Sequence, residues 1–500
     1  MLLTEHYKNS ILVNKLCDAL KPRQARVRIG GLTGSLAPVL GATVAECLPQ
    51  CNFIFIVGSK EDAYYLQNDL ETLMGEVGKE MDSKRVLLFP TTYRRPYQTE
   101  ETDNANVLMR SEVVKQLNAG RRLVVVTYPE ALAEKVISSK TLTRNTLQIV
   151  KGGKLDMDFV MDVLQDYGFD RVDFVVQPGE YAVRGGIIDV FSFANEQPFR
   201  IEFFDDEIDS LRSFDPVTQL SVRHYDQINI IPNLEKRPEE QVKVEEKVNL
   251  LHYFGSEDVV WSQGLMYVSE TIEKCFATAS EEYRKLAADK EQGLVRLRNA
   301  KPEEMYSSAN DFLKALIECK VVESGNSKFF TKAVELEGHS ELQPTFNKQF
   351  EMLKQSLSDY NDRGYTMCIS VSSEQQRKRL DKIFVESQME DMAAHVTYLD
   401  YSLRKGFIDH DEHLLCYTDH EIFERYHKYT VRDMSQNREA LTLKELFELK
   451  PGDYVTHIDY GVGRFSGLEK IENNGKQQEV IRLVYKNNDT CISVSTACTR

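Results

Sequence analysis

Few stretches of this chain have residue types and spacings suited to chemistry. The most suggestive is Gly30-Gly31-Leu32-Thr33-Gly34-Ser35-Leu36-Ala37-Pro38, which follows the strand-like run Arg26–Ile29. A glycine loop between strand and helix is where backbone N–H groups cradle phosphate, in the pattern G-x-x-x-x-G-K-[ST]. Aligned from Gly31, the last three positions are Leu36, Ala37 and Pro38. Leu36 adds a side chain where the backbone must close on phosphate. Ala37 lacks the ammonium that meets the β- and γ-phosphates. Pro38 lacks both the Mg²⁺-binding hydroxyl and its own N–H. Each lost contact to a charged group is worth about 1.5–3 kcal/mol, so Gly31, Gly34, Leu36, Ala37 and Pro38 read as a degenerate, non-functional phosphate loop with nucleotide binding weakened by orders of magnitude; an ordinary Gly-rich turn capping the helix is the alternative. The later apolar run from Val259 ends in Ser262-Gln263 and supplies no acidic pair to organise magnesium.

A second stretch, Pro198-Phe199-Arg200-Ile201-Glu202-Phe203-Phe204, alternates. Ile201 and Phe203 fall on one face of a strand, and Arg200, Glu202 and Phe204 on the other. Arg184, in Tyr-Ala-Val-Arg-Gly-Gly, lies one hairpin away. Aromatic and arginine side chains dominate protein interfaces, so Arg184, Arg200 and Phe204 form a candidate recognition patch; scattered surface residues are the alternative. Tyr93, Arg94, Arg95 and Tyr97 have the types that stack on or pair with nucleic acid, but a solvated connecting loop accounts for them more simply. Asp409-His410-Asp411-Glu412-His413 and His420 are metal-ligand types at a spacing that matches no standard site. No Ser/His/Asp or Cys/His arrangement offers a nucleophile, and no metal site or catalytic residue is assigned.

The elements that must position these residues follow from hydropathy. Up to about residue 147, apolar runs such as 52–59, 85–90 and 121–128 alternate with amphipathic stretches such as 61–74 and 106–117. That pattern predicts a parallel sheet covered on both faces, with a helix following Pro38 and another over 129–137. Residues 148–234 contain one helix and then a meander of short strands separated by Pro-Gly, Gly-Gly and Asp-Asp. Residues 235–345 return to α/β character, so 148–234 read as an α+β domain inserted into an α/β domain. A further small α/β unit of unassigned role spans 346–430, a polar linker 431–446, and an incomplete small β-barrel 447–500.

The chain has 500 residues, 42% hydrophobic and 28% charged, enough for several cores. A formal net charge of −16 argues against non-specific DNA binding over a wide face. The nine cysteines form no paired framework, as in a reducing compartment. No run of about 18 apolar residues crosses a membrane, and a cytoplasmic location is expected.

The stretches Gly179-to-Phe193 (GEYAVRGGIIDVFSF) and Pro198-to-Ser221 (PFRIEFFDDEIDSLRSFDPVTQLS) closely resemble the UvrA-binding domain shared by UvrB and the transcription-repair coupling factor (Mfd) family. The degenerate loop, the segments FP…PYQTEE and GF…HLLCYTDHEIF, and LKPGDYVTHIDYGVGRFSGLEKI resemble the Mfd family rather than UvrB, in order and across essentially the whole chain. The resemblance implies a helicase-like domain without ATPase activity, interrupted by the UvrA-binding insert, and a CarD/Tudor-like module that docks on RNA polymerase. In that family two arginines and a phenylalanine contact UvrA, at positions matching Arg184, Arg200 and Phe204. The contact to the polymerase β subunit falls around Lys470 and Ile471. The family's ATP- and Mg²⁺-dependent motor, through which the whole protein engages double-stranded DNA, has no counterpart here, so an N-terminal fragment without cofactors is expected. The competing classes are a UvrB-like nucleotide-dependent DNA-damage helicase and a CarD-like transcription regulator. Past about Thr490 the sequence leaves the family's pattern in the manner of a shifted reading frame, and regular structure is expected to end there.

Overall fold

The computed structural model describes residues 3–92, 97, 104–144, 146–192, 195, 197–216, 218–231, 247–288, 301–325, 328–346, 349–387, 390–425, 452–457, 461–473, 476–485, 490–493 and 498–499. It is a mixed α/β structure. The largest sheet has seven parallel strands in the order Val334–Glu337, Arg26–Gly30, Lys320–Ser324, Val259–Ser262, Phe53–Ile56, Val124–Thr127, Val86–Phe89. Phe53–Ile56, Val86–Phe89, Val124–Thr127 and Val259–Ser262 are buried at every residue, which is why they read as unbroken apolar runs rather than alternating ones.

Two helices depart from expectation. The one after the glycine loop runs Leu36–Cys47, starting two residues before Pro38. Proline is tolerated there because a first-turn N–H has no helical acceptor to lose. The helix opened by Pro129 ends at Ala133, and Val136–Ile137 instead forms a short strand.

That strand pairs with Lys247–Val248, and Leu147–Val150 pairs with Gln227–Ile230, both antiparallel. The chain therefore leaves and rejoins the large-sheet region side by side. Between these pairs lies a six-stranded sheet ordered Ser221–His224, Glu207–Phe214, Phe199–Phe204, Ile187–Val190, Glu180–Arg184, Asp170–Arg171. Helix Met157–Asp166, capped by the Asp156 carboxylate, contributes Val160 and Leu164 to one core with Tyr181, Ile188, Val190, Phe199 and Ile201.

A five-stranded sheet follows, ordered Ser340–Leu342, Phe407–Asp409, Leu414–Thr418, Thr366–Ser370, Val396–Leu399. The boundary expected between 345 and 346 is thus displaced, because Ser340–Leu342 pairs with Phe407–Asp409. Strand alternation gives this sheet two buried faces. Cys368, Leu414 and Cys416 join the core of the seven-stranded sheet, while Met367, Ile369, Leu415 and Tyr417 join a second core with Leu353, Leu357, Leu380 and Phe384.

Residues 430–500 form a separate unit. Its strands pair antiparallel in the order Thr490–Ser493, Lys476–Val484, Gly461–Asn473, Tyr454–His457, Cys498–Thr499. Regular structure does not end near Thr490, because Cys491-Ile492-Ser493 keeps a strand-compatible pattern and pairs with the neighbouring strand. The segment read as a linker, 431–446, lies outside the described residues. Among the described residues no helix is long and apolar enough to cross a membrane.

Candidate functional site

The glycine loop has two left-handed glycines and no open space around them. Gly31 and Gly34 have φ of +67° and +55°, which L side chains rarely adopt. A Cβ on Gly31 would overlap the Gly338 carbonyl oxygen, and one on Gly34 the Gly406 carbonyl oxygen. Two distant segments therefore lie directly on the loop. The Thr33 N–H donates to Ser340 Oγ at 2.9 Å, and the Ser35 N–H donates to the Lys405 carbonyl at 3.2 Å. The Lys405 N–H donates back to Ser35 Oγ at 3.0 Å, and Ser35 Oγ donates to Asp69 at 2.9 Å. Asp69 also accepts from the Arg404 N–H at 3.0 Å. Burial raises the Asp69 carboxyl to about 7, against these hydrogen bonds and the nearby Arg404, which lower it. Amides that would face phosphate are spent on protein, and the Glu337 carboxylate stands beside Gly30. Leu36 and Ala37 are buried in the following helix. These residues do not fit a nucleoside triphosphate.

The insert is built the other way. The Gly185-Gly186 turn sets Arg184 opposite Ile187 and Ala182 opposite Asp189; on the other side Arg200 lies opposite Asp189. Period two then sends Ile188, Val190, Phe199 and Ile201 into the helix-covered core and places Arg184, Asp189, Arg200 and Glu202 on the other face. Asp189 is 0% exposed and accepts from both arginines: from Arg184 Nη2, and from Arg200 Nε at 2.6 Å and Nη2 at 2.8 Å. That hydrogen bonding raises the Arg200 pKa. Arg200 also stands opposite Arg212, a like-charge pair that is unfavourable alone. Glu202 answers it by accepting from Arg212 Nη1 at 3.0 Å and from Ser210 Oγ at 2.5 Å. The Ser210 bond and then Arg212 hold the Glu202 carboxyl below its usual range.

Rings cover both guanidinium groups. Arg200 lies 4.4 Å from the Phe214 ring centre and Arg184 lies 5.0 Å from that of Phe174. Phe204 follows a register shift at Glu202/Phe203 and is 75% exposed. The structure thus joins Arg184 and Arg200 through one carboxylate and sets Phe204 at the end of the Arg200 strand. Sequence reasoning missed Asp189 and Phe174. The signal for Asp189 was a lone carboxylate in Ile-Ile-Asp-Val, opposite in phase to its apolar neighbours.

Lys470 and Ile471 lie on the long strand Gly461–Asn473, opposite Glu479 and Gln478 of Lys476–Val484. On the other side, Tyr454–His457 pairs only with residues 461–464. Among the described residues no strand pairs with the second edge of 466–473.

Three of the remaining candidates have partners within the chain. Tyr97 packs its ring 5.7 Å from Tyr283 and 6.4 Å from Tyr306; Tyr93, Arg94 and Arg95 lie outside the described residues. Asp409 is buried and accepts from Tyr7 Oη at 2.8 Å. His420 Nε2 contacts the Arg404 carbonyl at 3.0 Å. Among the described residues no cluster of three or more His, Cys, Asp or Glu is arranged to hold a metal.

The family model for the UvrB interaction domain matches residues 147–235, and that for the CarD-like/TRCF RID domain matches 449–497. The transcription-repair-coupling factor of Bacillus subtilis is 23% identical over 96% of this chain, and that of Staphylococcus aureus is 23% identical over 93%. The chain spans 44% of the length of these relatives. With both domain matches in place, the chain is similar along nearly its whole length to transcription-repair-coupling factors, of which it spans less than half.

Proposed function

We propose that this chain is an adapter that recruits UvrA to RNA polymerase stalled at DNA lesions. Arg184, Arg200 and Phe204 bind UvrA, and the strand edge at Lys470 and Ile471 meets the polymerase β subunit. The region carries out no nucleotide chemistry of its own. ATP, Mg²⁺ and the grip on double-stranded DNA belong in this reading to the motor of a whole coupling factor, working in the cytoplasm. One observation carries it: within the residues matched by the UvrB interaction domain, a buried carboxylate holds Arg200 and the exposed Arg184, and the Arg200 strand ends in an exposed phenylalanine. The filled glycine loop speaks against a UvrB-like helicase.

The test is UvrA binding by the purified chain and by Arg184→Ala, Arg200→Ala and Phe204→Ala. Each substitution is expected to weaken binding about tenfold or more, as for central arginine and aromatic contacts. Wild-type binding by all three would reject the surface.

A further inference from the structure

We infer that Asp189 is the positioning residue of the UvrA-binding face: with Phe174 it holds the open edge of Arg184 toward a carboxylate on the partner. This rests on the reading above and adds to it which arginine is the primary contact, what sets its geometry and what chemistry it meets.

The two arginines are not equivalent. Arg200 spends Nε and Nη2 on Asp189, shares Nη2 with Gln219 Oε1 at 3.2 Å, and has its face on Phe214; its side chain is 15% exposed. Arg184 gives only Nη2 to Asp189, and its side chain is 41% exposed. Its Nε and Nη1 have no hydrogen-bond acceptor among the described residues. A planar guanidinium with one edge anchored and donors remaining is a fork for a carboxylate.

Phe174 stacks on Arg184 yet is 59% exposed and belongs to neither apolar core of the insert. Its ring is therefore spent on the arginine rather than on the fold. An arginine held on two sides loses less rotamer freedom on binding. On a chain of net charge −16, such a fixed cation also selects for an acidic patch on the partner.

The experiment measures UvrA binding by the full chain carrying Asp189→Asn or Phe174→Ala. Each is made alone and in a background lacking the arginines it acts through: Arg184→Ala/Arg200→Ala for the first, Arg184→Ala for the second. Thermal unfolding is recorded alongside. Asparagine keeps an acceptor oxygen in place but removes the charge. Asp189→Asn should weaken binding about tenfold and Phe174→Ala about threefold, with no further loss in the arginine-less backgrounds. Raising salt should weaken wild type more steeply than Arg184→Ala.

Wild-type affinity in both variants, or equal losses with and without the arginines, would overturn the positioning role. Equal salt slopes for wild type and Arg184→Ala would overturn the partner carboxylate. Should Asp189→Asn fail to fold, Phe174→Ala, a change at an exposed ring, decides alone. If Arg184→Ala, Arg200→Ala and Phe204→Ala all bind normally, the UvrA surface itself is wrong; if they weaken binding while Asp189→Asn and Phe174→Ala do not, only the present inference fails.

Discussion

The glycine loop and the arginine face are both places where hydrogen-bond donors gather at a turn, yet one is closed and the other open. In the loop, Thr33 and Ser35 aim their N–H groups at Ser340 and Lys405, so the donors are consumed inside the chain. In the insert, Asp189 consumes only part of two guanidinium groups and leaves Arg184 with donors at the surface. The difference teaches that a binding site is defined by what remains unsatisfied after folding, more than by the motif that resembles one.

The comparison is broken most severely at Asp189. Asp189→Ala leaves two guanidinium groups without their buried counter-charge and should cost about 3–5 kcal/mol of stability in the insert, read from urea unfolding, together with UvrA binding. Gly31→Ala strikes the closed region: it combines positive φ with overlap of a backbone oxygen and should cost about 2 kcal/mol or more. Unlike the first, it should leave UvrA affinity per folded molecule unchanged.

A finer contrast uses pH. The Asp69 carboxyl, raised to about 7 by burial in the folded chain, binds its proton more tightly folded than unfolded. Its contribution is present below the unfolded carboxylate range and is lost as pH rises through about 7. Asp69→Asn should therefore gain stability relative to wild type between pH 5 and 8, compared by urea midpoints at each pH. The smallest effect is a deliberate zero. Leu36→Gly combined with Ala37→Lys and Pro38→Thr restores the missing residue types, yet titration with a fluorescent ATP analogue and Mg²⁺ should still show no binding, because Gly338, Ser340 and Lys405 occupy the place. Micromolar binding would show that residue identity, and not filling, had closed the site.

Much of the arginine face was legible in sequence because it is local. The alternation of Phe199–Phe204 fixes which face Arg200 and Phe204 share, and Gly185-Gly186 fixes a hairpin that brings Arg184 near. The place of Asp189 needed the register, since only pairing with both Arg200 and Ala182 puts it beneath two arginines. In the loop, sequence showed what Leu36, Ala37 and Pro38 lack, but not what replaced the ligand. Ser340 and Lys405 lie more than 300 residues from their partners Thr33 and Ser35, and no local pattern encodes such a contact. The displaced boundary at Ser340–Leu342 has the same origin, because a three-residue strand carries little periodicity.

The position of the first strand has a consequence for synthesis. Arg26–Gly30 pairs, among the described residues, with Lys320–Ser324 and Val334–Glu337 alone. A ribosome at 5–20 residues per second delivers those mates roughly 15–60 s after the strand itself. The insert, whose six-stranded sheet closes within residues 170–224, can be complete well before then. The nascent chain can therefore carry a finished insert while Arg26–Gly30, with its buried Val27 and Ile29, still waits for both neighbours.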